Sequence, residues 1–163
     1  GWMKVRVNDT EGYLPVSGNA TVKQVTEDEI AEVQQDALES SNSYKRQQVV
    51  DYALQFVGGR YKYGGSDPRT GVDCSGFTRY VLQNSAGIGM NRSSGGQASQ
   101  GVAIGADQMQ PGDLLFYGSG RGINHVAMYI GNGQIVHAST ERTGITISNW
   151  NYRNPVKIVN VLG

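Results

Sequence analysis

The chain has 163 residues, and 14 Lys+Arg against 14 Asp+Glu leave it with no formal net charge. That length can bury one full domain and a smaller piece. Balanced charge gives no electrostatic reason to expect nucleic acid or an anionic membrane as partner, and no apolar run approaches the roughly 18 residues of a membrane helix. A single cysteine rules out an internal disulfide and any zinc site built on several cysteines.

Residues 1–25 read as β. Trp2, Lys4 and Arg6 alternate with Met3, Val5 and Val7, Asn8-Asp9 offers a turn, and Gly12-Tyr13-Leu14 begins a second strand. This is too little chain for an independent sheet. The stretch resembles the closing strands of a bacterial SH3-type wall-binding module. An N-terminal hairpin packed on the main domain fits the same residues. Residues 26–43 read as a linker with some helical character, opened by a Thr26/Glu29 capping box. A main domain is expected over 44–163.

In that domain Val49, Val50, Ala53, Leu54 and Val57 recur at helical spacing from about Ser43, until Gly58-Gly59 stops the helix. A Gly-rich loop runs to Gly71. A second helix is predicted from Cys74, with Phe77, Val81 and Ser85 on its stripe and Gly87 at its end. Polar, Gly-rich chain follows from Gly89 to Gln110. After Pro111-Gly112 the period switches to two, predicting strands over 113–117, 125–130, 134–139, 145–148 and 156–161. Helices first and an antiparallel meander second is an α+β pattern, with helices packed on one face of the sheet.

Cys74 therefore sits where a Gly-rich loop meets a helix start. Unpaired N–H groups and the positive end of the helix dipole lower a thiol's pKa there, and the thiolate is the attacking species. Asp73 is a good N-cap, and as a carboxylate it works against the thiolate. The only histidines, His125 and His137, fall on the two strands of one predicted hairpin. A nucleophile, a base and a group that orients the base is triad logic on any fold. Register tests it. A two-residue Asn132-Gly133 turn pairs 131 with 134 and puts the two histidines on opposite faces. An odd loop or a bulge puts them on one face. The triad reading requires the second arrangement, although local turn chemistry favours the first.

Four runs in order, Gly71-Val72-Asp73-Cys74-Ser75-Gly76-Phe77, Pro111 to Tyr117, His125 to Gly131 and Ile135 to Ser139, resemble the NlpC/P60 family. The resemblance implies a papain-like core, with a Cys-bearing helix on a five- to six-stranded antiparallel sheet. It implies Cys74 as nucleophile, His125 as general base and acid, His137 as the group that orients His125, and Tyr61 as an oxyanion donor beside the Cys74 backbone N–H. Family members often carry Pro before this Tyr; here it is Arg60. Tyr63 competes for the assignment.

Asp73 and Ser75 match positions that in some members hold the free amine of a stem peptide. Arg92, Ser93 and Ser94 match a segment beside the cleft. The implied activity is hydrolysis of the D-γ-glutamyl–diamino acid bond of peptidoglycan stems or muropeptides through an acyl-enzyme. No metal or organic cofactor is expected, and the protein should be a monomer, secreted or wall-associated. An amidase or acyltransferase on the same scaffold, and a non-catalytic wall-binding protein, are the rival readings.

Overall fold

In a computed structural model the described residues are 27–163, with side chains from residue 37 onward. The expected β segment and its SH3-type reading lie outside them. The chain divides into two compact units, Gly1–Ser40 and Ser41–Gly163, and the second carries the sheet and the candidate site.

Helix α1 spans Glu27–Leu54 without a break, so it runs through the segment expected to be a linker. Its sequence contains no Gly or Pro and is rich in Ala, Glu, Gln and Leu, all compatible with a long helix. The periodicity from Ser43 marks where the buried face begins, not where the helix begins. Leu38 and Tyr44 are exposed, whereas Val49, Val50 and Ala53 are buried. Arg46 heads that face. Its guanidinium donates to Asp113 Oδ1 (2.8 Å), Asn160 Oδ1 (2.8 Å) and the carbonyls of Pro111 and Gly163 (both 3.0 Å).

A small hairpin, β1 (Ser66–Asp67) and β2 (Gly71–Val72), leads into helix α2, Cys74–Ala86. Asp73 caps α2 by accepting from the Gly76 N–H. Gly87 closes it in the left-handed conformation (φ 69°), with the Gly87 and Ile88 N–H groups bonded to the Gln83 and Leu82 carbonyls. Phe77, Val81 and Leu82 on α2 are fully buried. A short helix α3 (Ser94–Gln97) and a short strand β3 (Val102–Ala103) precede the main sheet.

The main strands are β4 (Leu114–Ser119), β5 (Gly122–Gly131), β6 (Gln134–Thr140), β7 (Gly144–Asn149) and β8 (Pro155–Asn160). Together with β3 they form a six-stranded antiparallel sheet in the order β3-β8-β4-β5-β6-β7. Only β4 to β7 form the expected meander. Strand β8 crosses back to pair with β4. In β4 the even positions Leu114 and Phe116 pack with α2, while Leu115 and Tyr117 enter a second cluster with Ala127, Ile135 and Ile158. Both faces are thus covered, which is why β4 reads as a continuous apolar run.

The β5–β6 turn combines both registers considered from sequence. Asn132 (φ 56°) and Gly133 (φ 74°) form the two-residue turn, and Gly131 pairs with Gln134. A bulge between Tyr129 and Gly131 then shifts the ladder, so Tyr129 faces Ile135 and Met128 faces Val136. That one extra residue restores the parity that puts His125 and His137 on one face.

Candidate active site

Cys74, the only cysteine, is the first residue of α2 and lines a cleft of about 600 Å³ with Tyr61, Tyr63, Gly64, Ser75 and Asn124. The β5–β6 ladder ends at Met128–Val136, so beyond that point β5 has backbone groups free of β6. Val126 there, one residue from His125, packs in the same core cluster as Cys74. Gly76 lets the Gly64-Gly65 loop close on the start of α2, because a side chain there would collide with the Gly65 carbonyl and the Asp73 carboxylate.

Burial pushes the Cys74 thiol up, and Asp73 pushes it the same way. The N–H groups of Val126, Ser75 and Cys74 itself act in the opposite direction without overcoming them. This corrects the sequence expectation of a lowered pKa: the helix-start effect is present, and desolvation exceeds it. The resting group is a thiol that needs a base.

The two histidines are joined in one polar chain. His125 Nε2 lies 2.7 Å from His137 Nδ1, and His137 Nε2 lies 2.9 Å from Ser148 Oγ. His137 is 1% exposed and His125 8%. Burial, then the neighbouring His137 and Arg153, push His125 down to about 3, and burial pushes His137 down to about 4. Both imidazoles are therefore neutral near neutral pH, and each carries one proton. A proton on His137 Nε2, donated to Ser148, leaves His137 Nδ1 to accept from His125 Nε2–H. His125 Nδ1 then holds a lone pair and can take a proton. The opposite tautomer of His137 would put a proton on His125 Nδ1 and disable it.

Ser148 was not singled out from sequence. It sits diagonally across from His137 on β7, since His137 pairs with Thr146 and Ser148 with Ile135. Only the bulged register makes that diagonal relevant. Tyr152 closes the site with its ring 5.3 Å from those of His137 and Tyr117.

Tyr61 is bridged to Val72, next to Asp73-Cys74, and packs on the core, whereas Tyr63 is 86% exposed. Burial and then the Cys74 and Asp73 charges raise the Tyr61 phenol, which keeps its O–H as a donor. Asp73 is fully occupied. Oδ1 accepts from Gly76 N (2.8 Å) and Arg92 Nη1 (3.0 Å), and Oδ2 from Gly64 N (3.0 Å) and Arg92 Nη2 (3.1 Å). Arg92 also donates to Ser75 Oγ and to the Gly65 carbonyl. Arg92 thus supplies the positive partner of Asp73, and the carboxylate does not depend on a substrate cation.

Ser93 caps α3, accepting from Gly96 N at 3.0 Å, and Ser94 lines the cleft. Fully buried Gln97, also unremarked from sequence, ties this loop to α2 by donating to the Ser75 and Asn91 carbonyls. Among the described residues no group of His, Cys, Asp and Glu is arranged to hold a metal ion.

A sequence model of the NlpC/P60 family matches residues 58–159. The chain belongs to the NlpC/P60 family, a family of cysteine peptidases. It is 42% identical over 108 residues to a gamma-DL-glutamyl hydrolase of Bacillus subtilis, an alignment covering 66% of this chain and 25% of that protein. It is 36% identical over 106 residues to the murein DD-endopeptidase MepS/murein LD-carboxypeptidase of Escherichia coli, covering 65% of this chain and 55% of that one. The crystal structure of the NlpC/p60 domain of the peptidoglycan hydrolase SagA superposes with a TM-score of 0.65 at 36% identity, covering 71% of this chain and 97% of that domain. The NlpC/P60 region is thus one part of longer relatives, and the chain spans no more than about half the length of these two.

Proposed function

We propose that this NlpC/P60 domain hydrolyses an amide bond in peptidoglycan stem peptides, the D-γ-glutamyl–diamino acid bond first among them. One observation carries the reading: a neutral His125–His137 pair, 2.7 Å apart, on the sheet against which the helix headed by Cys74 packs, with that cysteine lining an open cleft. Names among the relatives support the substrate class and point to more than one bond within it.

In this mechanism the Cys74 S–H proton passes to His125 Nδ1 as sulfur bonds to the carbonyl carbon. The oxyanion accepts from the Cys74 N–H and the Tyr61 hydroxyl. Collapse breaks the C–N bond, and His125 returns its proton to the departing amine. Water then attacks the thioester with His125 again taking a proton, and the acid leaves as Cys74 recovers its hydrogen. Arg92, Asp73, Ser75 and Ser94 form the wall against which the acyl half of the peptide lies. Such a substrate places the enzyme's work outside the cytoplasmic membrane, and among the described residues no helix is long and apolar enough to cross one.

Digestion of defined muropeptides, with products weighed by mass spectrometry, tests the proposal. Cleavage after D-γ-glutamate is expected, and the Cys74→Ala variant should be folded and inactive. Release of the sugar would make the protein an amidase. Cleavage only between the terminal residues of cross-linked stems would move the bond. An unfolded Cys74→Ala variant would give the cysteine a structural role.

A further inference from the structure

A second cavity, about 650 Å³, adjoins the catalytic cleft and has a different charge. It is lined by Gly58, Gly59, Arg60, Arg69, Thr70 and the β6–β7 turn, residues 141–144. Three guanidinium groups, from Arg60, Arg69 and Arg142, face one carboxylate, Glu141. Arg69 is partly engaged by Asp67 (3.4 Å) and by the Tyr80 hydroxyl. Arg60 and Arg142 make no side-chain ion pair among the described residues.

The lining of this cavity meets that of the Cys74 cleft at the consecutive residues Arg60 and Tyr61. Arg60 directly precedes Tyr61, and the Tyr61 phenol feels the charges of both Cys74 and Glu141. His125 and the β6–β7 turn lie at the same end of the β5–β6 hairpin, away from its Asn132-Gly133 turn. The loop carrying Arg60 is also fixed. Gly58 N–H donates to the Ile145 carbonyl (2.8 Å) and Ile145 N–H to the Gly59 carbonyl (2.9 Å), pinning it to the start of β7. Tyr61 lines the Asp73–Arg92 side and, through Arg60, borders the arginine side.

We propose that this arginine-lined cavity binds the free C-terminal carboxylate of the leaving half of the substrate. The inference rests on the reading above, in which the acyl half occupies the Asp73–Arg92 side. The leaving half of an uncross-linked stem then runs past Tyr61 and ends in a carboxylate, and planar guanidinium forks match that group in geometry and charge. The cavity would make the domain prefer free stem ends to ends blocked by a cross-link.

The test compares one stem peptide as the C-terminal acid and as the C-terminal amide. The wild-type domain should favour the acid in kcat/KM by about tenfold, mostly through KM, as expected for charge-assisted hydrogen bonds at a partly exposed site. The Arg60→Gln/Arg142→Gln variant should bring that ratio to about one. Equal rates for acid and amide in the wild type, or an unchanged ratio in the variant, overturn the proposal. A second arm separates it from the choice of bond. The diamino acid–D-alanine dipeptide is titrated into the Cys74→Ala variant while the Gly58, Gly59 and Gly144 amide signals are followed by NMR. Shifts that vanish when Arg60→Gln/Arg142→Gln is added support the cavity even if the peptide is cut at another bond. No shift at those amides, with D-γ-glutamyl cleavage intact, removes the cavity and leaves the enzyme reading standing.

Discussion

Two polar clusters flank Cys74, and they differ in their access to water. The His125–His137–Ser148 chain is nearly dry, with both histidines below a tenth exposed. The Asp73–Arg92–Ser75 cluster meets water through Arg92, whose side chain is 39% exposed, while Asp73 and Ser75 are as buried as His125. In the dry chain each ring nitrogen has few alternatives, so geometry and tautomer are set before substrate arrives. In the wetter cluster Arg92 can exchange partners at modest cost, which suits a surface that adapts to ligand. The comparison teaches that changes in the dry chain should act on kcat, while changes in the wet cluster should act on which substrate is accepted.

The largest effect should come from His125. His125→Ala removes the proton acceptor and should lower kcat by about a hundred- to ten-thousand-fold, with the melting temperature near that of wild type. His137→Gln should cost less, because a side-chain amide oxygen can still accept from His125 Nε2. Steady-state kinetics at saturating substrate decide between them, and equal losses would put the two histidines in one role.

Ser148 gives the next effect and the sharper probe of the dry chain. Ser148→Ala deprives buried His137 Nε2 of its partner and frees the ring to adopt the tautomer that disables His125. About a tenfold fall in kcat is expected, the equivalent of one hydrogen bond lost at a buried group, and Ser148→Thr should restore it. The ¹⁵N shifts of His137 should report Nε2–H in wild type and a mixture in the variant. A fall in kcat with unchanged shifts would mean that Ser148 acts through packing.

Acid pH tests both the chemistry and the fold. His125 and His137 are held at about 3 and 4, below an ordinary histidine near 6.5. The base therefore stays neutral well below pH 6.5, and the acid limb of kcat/KM should lie clearly under that value. Stability runs with the same sign. Below about pH 6.5 the unfolded chain takes up protons that the folded histidines refuse, so stability falls progressively as pH drops towards 4. Denaturant titrations at pH 7 and pH 5 should show this loss, and His137→Gln should reduce it. An acid limb at 6.5 in the wild type would mean that substrate or water opens the dry chain.

Much of the fold was legible because period and punctuation agree in this sequence. The α2 stripe, its Asp73 start and its Gly87 stop lie where they were read. The same is true of the four strands of the meander. The extent of α1 was not legible, because few large apolar residues mark its first half. The return of β8 to pair with β4 was missed because strand order is a tertiary property that period two does not encode. Within the site, parity showed that His125 and His137 need an odd loop or a bulge, and the bulge near Ile130 is the answer. Ser148 depends on a diagonal across the β6–β7 register, so no local pattern could mark it. The rise of the Cys74 pKa was missed for a related reason: a helix start can be read from residues 73–76, whereas burial depends on β5 arriving from fifty residues later.

The smallest expected effect belongs to the wet cluster. An unpaired, buried Asp73 would discriminate steeply in favour of a substrate that brings its own ammonium. The observed Asp73 already accepts four hydrogen bonds, two of them from Arg92. We propose that a free amine of the stem peptide still binds here, sharing the carboxylate with Arg92, which swings into the cleft or solvent as it arrives. Exchange of one cation for another at a carboxylate that keeps a positive partner throughout yields little net energy, about 1 kcal/mol or less. Preference for a free-amine stem peptide over its N-acetylated counterpart should then be only a few-fold in kcat/KM. Asp73→Asn keeps an oxygen for the Gly76 N–H but turns an NH2 towards the Gly64 N–H and Arg92, so it should abolish that preference at a cost of about 1–3 kcal/mol in stability. Arg92→Gln should increase the preference, because Asp73 would then depend on the substrate for its positive partner. Equal kcat/KM for both peptides in wild type and in Arg92→Gln would reduce Asp73 to a cap and Arg92 to the clamp that holds it.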